Sequence, residues 1–246
     1  MNRTIPENVR IFETPEELYA AAAEMILVQS CEAILKRGRF VIAFSGGQSP
    51  GPLYALLAQE PYRTQISWKN VFVFWGDERC VPLEDKRNNA YQAKSILLDK
   101  VEIPSQNIFR IPVDLPPAEA AMEYEKTIFS FFGKEEPRMD LILLGLGENA
   151  HTASLFPGTA VLSEKKAGVR EVTSDADASA RITLTAPLIN QALNILFLVT
   201  GKSKSEVLRK VFSSAYNPGL LPVQLIAPLN GKIIWFADRS AASAVS

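Results

Sequence analysis

Phe40-Val41-Ile42-Ala43-Phe44, running straight into Ser45-Gly46-Gly47-Gln48-Ser49-Pro50-Gly51, is the stretch on which the fold of this chain turns. Five consecutive apolar residues suit a strand buried on both faces of a parallel sheet, where no polar alternation is needed. Upstream, Thr14-Pro15-Glu16-Glu17 combines a capping threonine, a proline at the first helical position and a glutamate at the third. This predicts a helix running to about Lys36 and ended by Arg37-Gly38. Downstream, apolar runs recur at Val71–Trp75, Leu141–Leu144, Ile195–Val199 and Ile233–Phe236. Most of them are separated by helical patterns at 89–98, 117–132 and 203–213.

Strand and helix in alternation predict an α/β fold: an open, mostly parallel, Rossmann-like sheet with helices on both faces. At 246 residues, against a prior of about 150 per domain, with no Gly/Ser-rich linker and no internal repeat, residues 1–246 are expected to form one domain. The least apolar segment, Ser163–Ala180, carries Lys165-Lys166 and Ser174-Asp175-Ala176-Asp177 and reads as a surface excursion between core strands.

Composition excludes several classes. With 26 Lys+Arg against 27 Asp+Glu, a net charge of −1 and 47% hydrophobic residues, the chain is neither disordered nor a basic body for nucleic acid or anionic lipid. Cys31 and Cys80 are too few for a disulfide framework and stand in no zinc-binding spacing, which suits a reducing compartment. No apolar run is read as reaching the ~18 to 20 residues of a membrane span, and Met1–Pro6 lacks the features of a secretion signal. The expectation is a cytoplasmic protein with no membrane or nucleic-acid partner and no identifiable protein partner.

In open parallel sheets ligands bind beyond the carboxyl ends of the strands, so the residues just after each apolar run are the candidates for a site. At Ser45–Gly51 two glycines let the backbone approach a ligand, and a helix opening at Pro52 would present amides to an anion. The segment matches neither GxGxxG nor the P-loop, so it is either a phosphate cradle or a plain strand-to-helix turn. Gly76-Asp77-Glu78-Arg79 places three charges at the next strand end, as an anion contact through Arg79 or as an internal Asp–Arg pair holding the loop. Gly145–Pro157 contains His151, the single histidine of the chain, a candidate general base or a structural hydrogen bonder. No second histidine or cysteine stands near it to suggest a metal. Arg181 and Lys204 reach a phosphate if their elements face the same cleft; otherwise they are solvated surface cations.

Taken together, these segments are similar to the 6-phosphogluconolactonase family, within the larger group that includes glucosamine-6-phosphate deaminases. The resemblance is carried by Phe44–Pro50, Trp75–Pro82, Asn89 with Leu97-Leu98, Leu141–Gly158, Arg181–Thr185, Gly201 with Lys204, and the closing Trp235–Asp238. It covers nearly the whole chain and is most specific at His151-Thr152-Ala153-Ser154-Leu155-Phe156-Pro157-Gly158, which resembles the lactonase branch. Deaminases tend to continue from the histidine into a segment with a further catalytic glutamate, and none stands in 152–158.

The resemblance implies hydrolysis of 6-phospho-D-glucono-1,5-lactone, a small phosphosugar substrate, with no metal or organic cofactor. It implies that Ser45, Gly46, Gly47, Gln48, Ser49, Arg79, Arg181 and Lys204 hold the phosphate and that His151 activates water. Arg79, or the amides of Gly46 and Gly47, would face the oxyanion. The chain departs from the family pattern at Asn149-Ala150, where Asp-Gly is usual, and more mildly at Asn88, where a serine often stands. A neutral amide supports an imidazolium less than a carboxylate does, and the corresponding Asp-to-Asn change in a serine protease costs about 10⁴ in turnover. Glu148 and Asp77 are the nearest candidates to replace that carboxylate. Ala150 adds strain of roughly 1 kcal/mol if its backbone is left-handed and none otherwise. The alternatives to an active lactonase are a phosphosugar-binding relative without catalysis and an amino-sugar-phosphate deaminase.

Overall fold

The computed structural model describes residues 6–47, 49–174 and 177–245. A short strand β1 (Val9–Phe12) leads to helix α1 (Pro15–Arg37), where the Thr14 hydroxyl accepts from the Glu17 amide at 3.2 Å. The helix stops at Gly38, whose φ of 72° is a left-handed cap. α1 is long and apolar enough to cross a bilayer, which corrects the expectation that no stretch is. Glu24 and Glu32 interrupt its length, and Leu18, Ala22, Ala23, Ile26 and Ala33 bury one face of it against the core.

β2 (Phe40–Phe44) comes next, every residue buried, and because successive side chains point to opposite faces both faces must be covered. Then come α2 (Pro50–Leu57), α3 (Tyr62–Gln65), β3 (Val71–Trp75), β4 (Asp77–Arg79), α4 (Asn89–Ile96), α5 (Pro117–Phe132) and β5 (Leu141–Gly145). The chain closes with β6 (Val169–Ser174), β7 (Asp177–Leu184), α6 (Ala186–Ile189), β8 (Asn194–Val199), α7 (Ser205–Ser213) and β9 (Lys232–Asp238).

Six strands form one parallel sheet in the order β1-β9-β8-β5-β2-β3, flanked by helices. β3 pairs on one side of β2, and the chain then crosses to place β5 on the other. The strand order therefore reverses between β2 and β5, and a crevice opens there beyond the carboxyl ends. β1 escapes a reading by periodicity because four residues with Arg10 among them carry no pattern; its partners are Trp235–Asp238, at the far end of the chain.

Two expectations are corrected by a second, antiparallel sheet in the order β4-β7-β6. Gly76–Arg79 is not a simple strand-end loop, since Asp77, Glu78 and Arg79 pair with Thr183, Ile182 and Arg181. Ser163–Ala180 is not a mere surface excursion: Val169 and Val172 are buried, and Arg170 is paired with Glu125 at 2.9 Å and Glu164 at 2.6 Å. Lys165 and Lys166 are exposed as expected, but Arg170 and Glu164 are satisfied as a pair and the valines join the hydrophobic cluster shared with the large sheet. Asp175 and Ala176 lie outside the described residues.

Candidate active site

Beyond the carboxyl ends of β2 and β5 lies a cleft of about 500 Å³ bounded by both sheets. β2 delivers Ser45, Gly46 and Gly47, and β5 runs into Gly145–His151. The small sheet supplies Asp77 and Arg79 from β4 and Arg181 from β7, and the turn before α7 supplies Lys204. Ser49 also lines the cleft, whereas Gln48 lies outside the described residues. α2 starts at Pro50, two residues earlier than expected, and with prolines at 50 and 52 only Gly51 among its first three residues carries an amide hydrogen. Ser49 makes no side-chain capping bond, and Gly47 has φ 92°, a backbone open to glycine.

Arg79 stands directly opposite Arg181 in the β4–β7 ladder. Opposed residues on antiparallel strands share a face, so two like charges are held side by side, which costs stability unless an anion offsets it. Lys204 and both arginines raise the energy of a proton on His151, which places all three cations around one cleft. Asp77 partly offsets them: its Oδ2 lies 4.0 Å from Arg181 Nη1 and accepts from the Ser154 hydroxyl at 2.6 Å. The Asp–Arg pair considered within the 76–79 segment is thus made across the ladder to Arg181.

His151 is held by its own turn. The Gly147 amide donates to the His151 carbonyl at 2.8 Å and the Ala150 amide to the Gly147 carbonyl at 2.9 Å. A Cβ on Gly147 would sit 2.0 Å from His151 Nδ1, so the imidazole rests where a side chain would be. Ala150 has φ 63°, the left-handed conformation that costs an L residue roughly 1 to 2 kcal/mol. His151 Nδ1 lies 2.5 Å from Asn149 Oδ1, and an amide oxygen only accepts. Nδ1 therefore carries the proton and Nε2 keeps its lone pair. Burial pushes the imidazole pKa down to about 4; the charge of Asp77 opposes this, and Arg181, Lys204 and Arg79 add to it.

Of the two carboxylates considered as replacements at position 149, Glu148 is 67% exposed and faces Lys204 at 3.9 Å. Asp77 is the one whose charge favours a protonated His151. Sequence reasoning assigned no role to Glu78, Asn89 or Ser154. Glu78 is buried and accepts from the amides of Asn89, Ala90 and Arg79, at 2.7, 2.9 and 2.8 Å. Burial raises its pKa to about 7 while those amides pull it back. A glutamate inside a short strand was the available signal, since a charge there must find partners.

Residues 13–235 match the family described as glucosamine-6-phosphate isomerases/6-phosphogluconolactonase. A protein named 6-phosphogluconolactonase from Nostoc sp. is 37% identical over 245 residues, covering 98% of this chain and 99% of the relative. One of the same name from Synechocystis sp. is 40% identical over 229 residues, covering 91% and 92%. The solved 6-phosphogluconolactonase from Trypanosoma cruzi superposes with a TM-score of 0.86 at 26% identity, covering 100% of this chain and 99% of that one. The sheet order, the crevice between β2 and β5 and the match along 13–235 agree, and the chain belongs to the glucosamine-6-phosphate isomerase/6-phosphogluconolactonase family.

Proposed function

We propose that this chain hydrolyses the ring ester of 6-phospho-D-glucono-1,5-lactone to 6-phosphogluconate, a step of the oxidative pentose phosphate pathway. The observation that carries this reading is a neutral imidazole, with Nδ1–H tied to Asn149 and Nε2 unprotonated, in a cleft ringed by Arg79, Arg181 and Lys204. The cations and the Ser45–Ser49 loop bind the phosphate, which anchors the lactone at one end. His151 Nε2 takes a proton from water as the oxygen attacks the lactone carbonyl, and the Gly46 and Gly47 amides receive the oxyanion. Collapse of the tetrahedral intermediate breaks the bond to the ring oxygen, which takes the proton back from Nε2–H. The new carboxylic acid ionises, and the imidazole is again neutral.

Asn149 orients the ring and fixes its tautomer, and Asp77 supplies the negative charge that helps stabilise the imidazolium. The same reading favours a cytoplasmic enzyme, in keeping with two free thiols, Cys31 and Cys80.

The test is the initial rate of hydrolysis of freshly generated lactone against an enzyme-free control. Acceleration that His151→Ala lowers by about 10² or more in kcat, with KM little changed, supports the reading. Binding of 6-phosphogluconate without acceleration would leave a phosphosugar-binding relative instead.

A further inference from the structure

Asn89 is 1% exposed, and both ends of its carboxamide are engaged at the edge of the cleft. Its Oδ1 accepts from Arg79 Nη1 at 2.5 Å, and its Nδ2 donates to the Asp77 carbonyl at 2.8 Å. The same Arg79 nitrogen donates to the Arg87 carbonyl at 2.9 Å. Both acceptors are neutral, so they fix the guanidinium without cancelling its charge. Arg181 differs, standing 4.0 Å from the carboxylate of Asp77.

Beneath this pair the Glu78 carboxylate binds the amides of Arg79 and Asn89 together, which locks the backbone from which both side chains leave. On the cleft side, a Cβ at Gly46 would fall 1.7 Å from Asn89 Oδ1 and 2.1 Å from its Cγ. Gly46 is absent from the residues with positive φ, so backbone conformation does not demand a glycine there. The missing side chain is the space that the carboxamide occupies.

We propose that Asn89 is a positioning residue that holds the Arg79 guanidinium at the anion-binding end of the cleft, and that position 46 is glycine to admit it. The proposal rests on the reading of Arg79 as a phosphate ligand. Neutral acceptors are suited to this task, since a carboxylate in place of Asn89 would hold Arg79 equally well and repel a phosphate.

The test compares Asn89→Ala and Gly46→Ala, each alone and combined with Arg79→Ala. Alanine is at home at a first helical position, and the Asn89 amide keeps its bond to Glu78, so Asn89→Ala is expected to fold. Gly46→Ala displaces the carboxamide without removing it. The first readout needs no substrate: phenylglyoxal modification of Arg79 relative to Arg181, followed by peptide mass spectrometry. Arg79 should react about tenfold faster in either variant. The second is the Kd for 6-phosphogluconate, expected to weaken about tenfold in each single variant and not to weaken further when Arg79 is already alanine. Unchanged Arg79 reactivity in both variants overturns the proposal, as does an equal loss of affinity in the Arg79→Ala background. If the parent protein binds no 6-phosphogluconate, the functional reading fails, and the modification rates alone decide whether Asn89 orders Arg79. Should Asn89→Ala not fold, Gly46→Ala decides by the same criteria.

Discussion

Burial, more than any neighbour, holds the His151 imidazole neutral, and Asn149 adds no charge to oppose it. The Asn149 amide oxygen fixes the Nδ1–H tautomer as a carboxylate would but carries no charge, while burial and then the three cations take the pKa down to about 4 against the pull of Asp77. In the proposed mechanism the neutral form is the base, so kcat/KM should hold level from neutral pH down to about pH 5 and fall along an acid limb near 4. A bound phosphate would offset the three cations, and the acid limb of kcat is expected at higher pH than that of kcat/KM. The unfolded chain takes up a proton near the ordinary 6.5 and the folded chain refuses it until about 4, so this residue makes the fold less stable as pH falls through that window. Asn149→Asp should raise the His151 pKa, measured by NMR titration, and raise kcat by a factor bounded near 10⁴. No change in either would remove the side chain at 149 from control of the base. Gly147→Ala should lower kcat by about 10² with the fold intact by circular dichroism, because a Cβ would lie 2.0 Å from Nδ1 and must push the ring aside.

At the scale of single elements, α1 and α4 show how a local rule and a tertiary need combine. The Thr14 cap on α1 is legible as Thr-Pro-Glu-Glu, and Thr14→Ala should cost about 1 kcal/mol in chemical denaturation with kcat and KM unchanged, since the cap lies outside the cleft-lining residues. The start of α4 is different. Asn88 caps it through its side chain to the Tyr91 amide at 2.9 Å, so the departure from serine at 88 keeps the capping chemistry. Its neighbours Asn89 and Ala90 give their amides to Glu78 on β4, a partner no local pattern reveals. Glu78→Ala leaves three amides, two of them buried, without that acceptor and should destabilise the protein by about 3 kcal/mol while raising KM. A wild-type Tm for that variant would sink this account.

Over the whole molecule, the two sheets meet in one hydrophobic cluster that includes Phe44, Trp75, Leu143 and Phe197 of the large sheet and Val172, Ile182 and Leu184 of the small one. We infer that they unfold together as one domain. Calorimetric and van't Hoff enthalpies should agree, and the far-ultraviolet circular dichroism and tryptophan fluorescence transitions should coincide. A separate earlier transition would show the β4-β7-β6 layer to be a distinct unit.

The sequence by itself determined the central strands, the long helices and the class of sheet, because fully buried parallel strands must be apolar along their whole length and helices announce their ends with Thr, Pro and Gly. It also marked where chemistry could sit, since ligands gather at the strand ends that punctuate those runs. It left open whether Ala150 is strained, whether Asp77 pairs within its own segment and what Gly46 is for. Those questions turn on contacts that no local pattern records: the φ of 63° belongs to a turn closed by Gly147 and His151, Asp77 meets Arg181, and Gly46 meets Asn89. Only the tertiary structure decided them. The small sheet obeys the same logic, for β4 is three charged residues with no pattern of its own, and it becomes a strand because Asp77–Arg79 find Arg181–Thr183 more than a hundred residues away. Local patterns record what a segment can bury; the partner of a polar group is fixed by which segments the fold brings together.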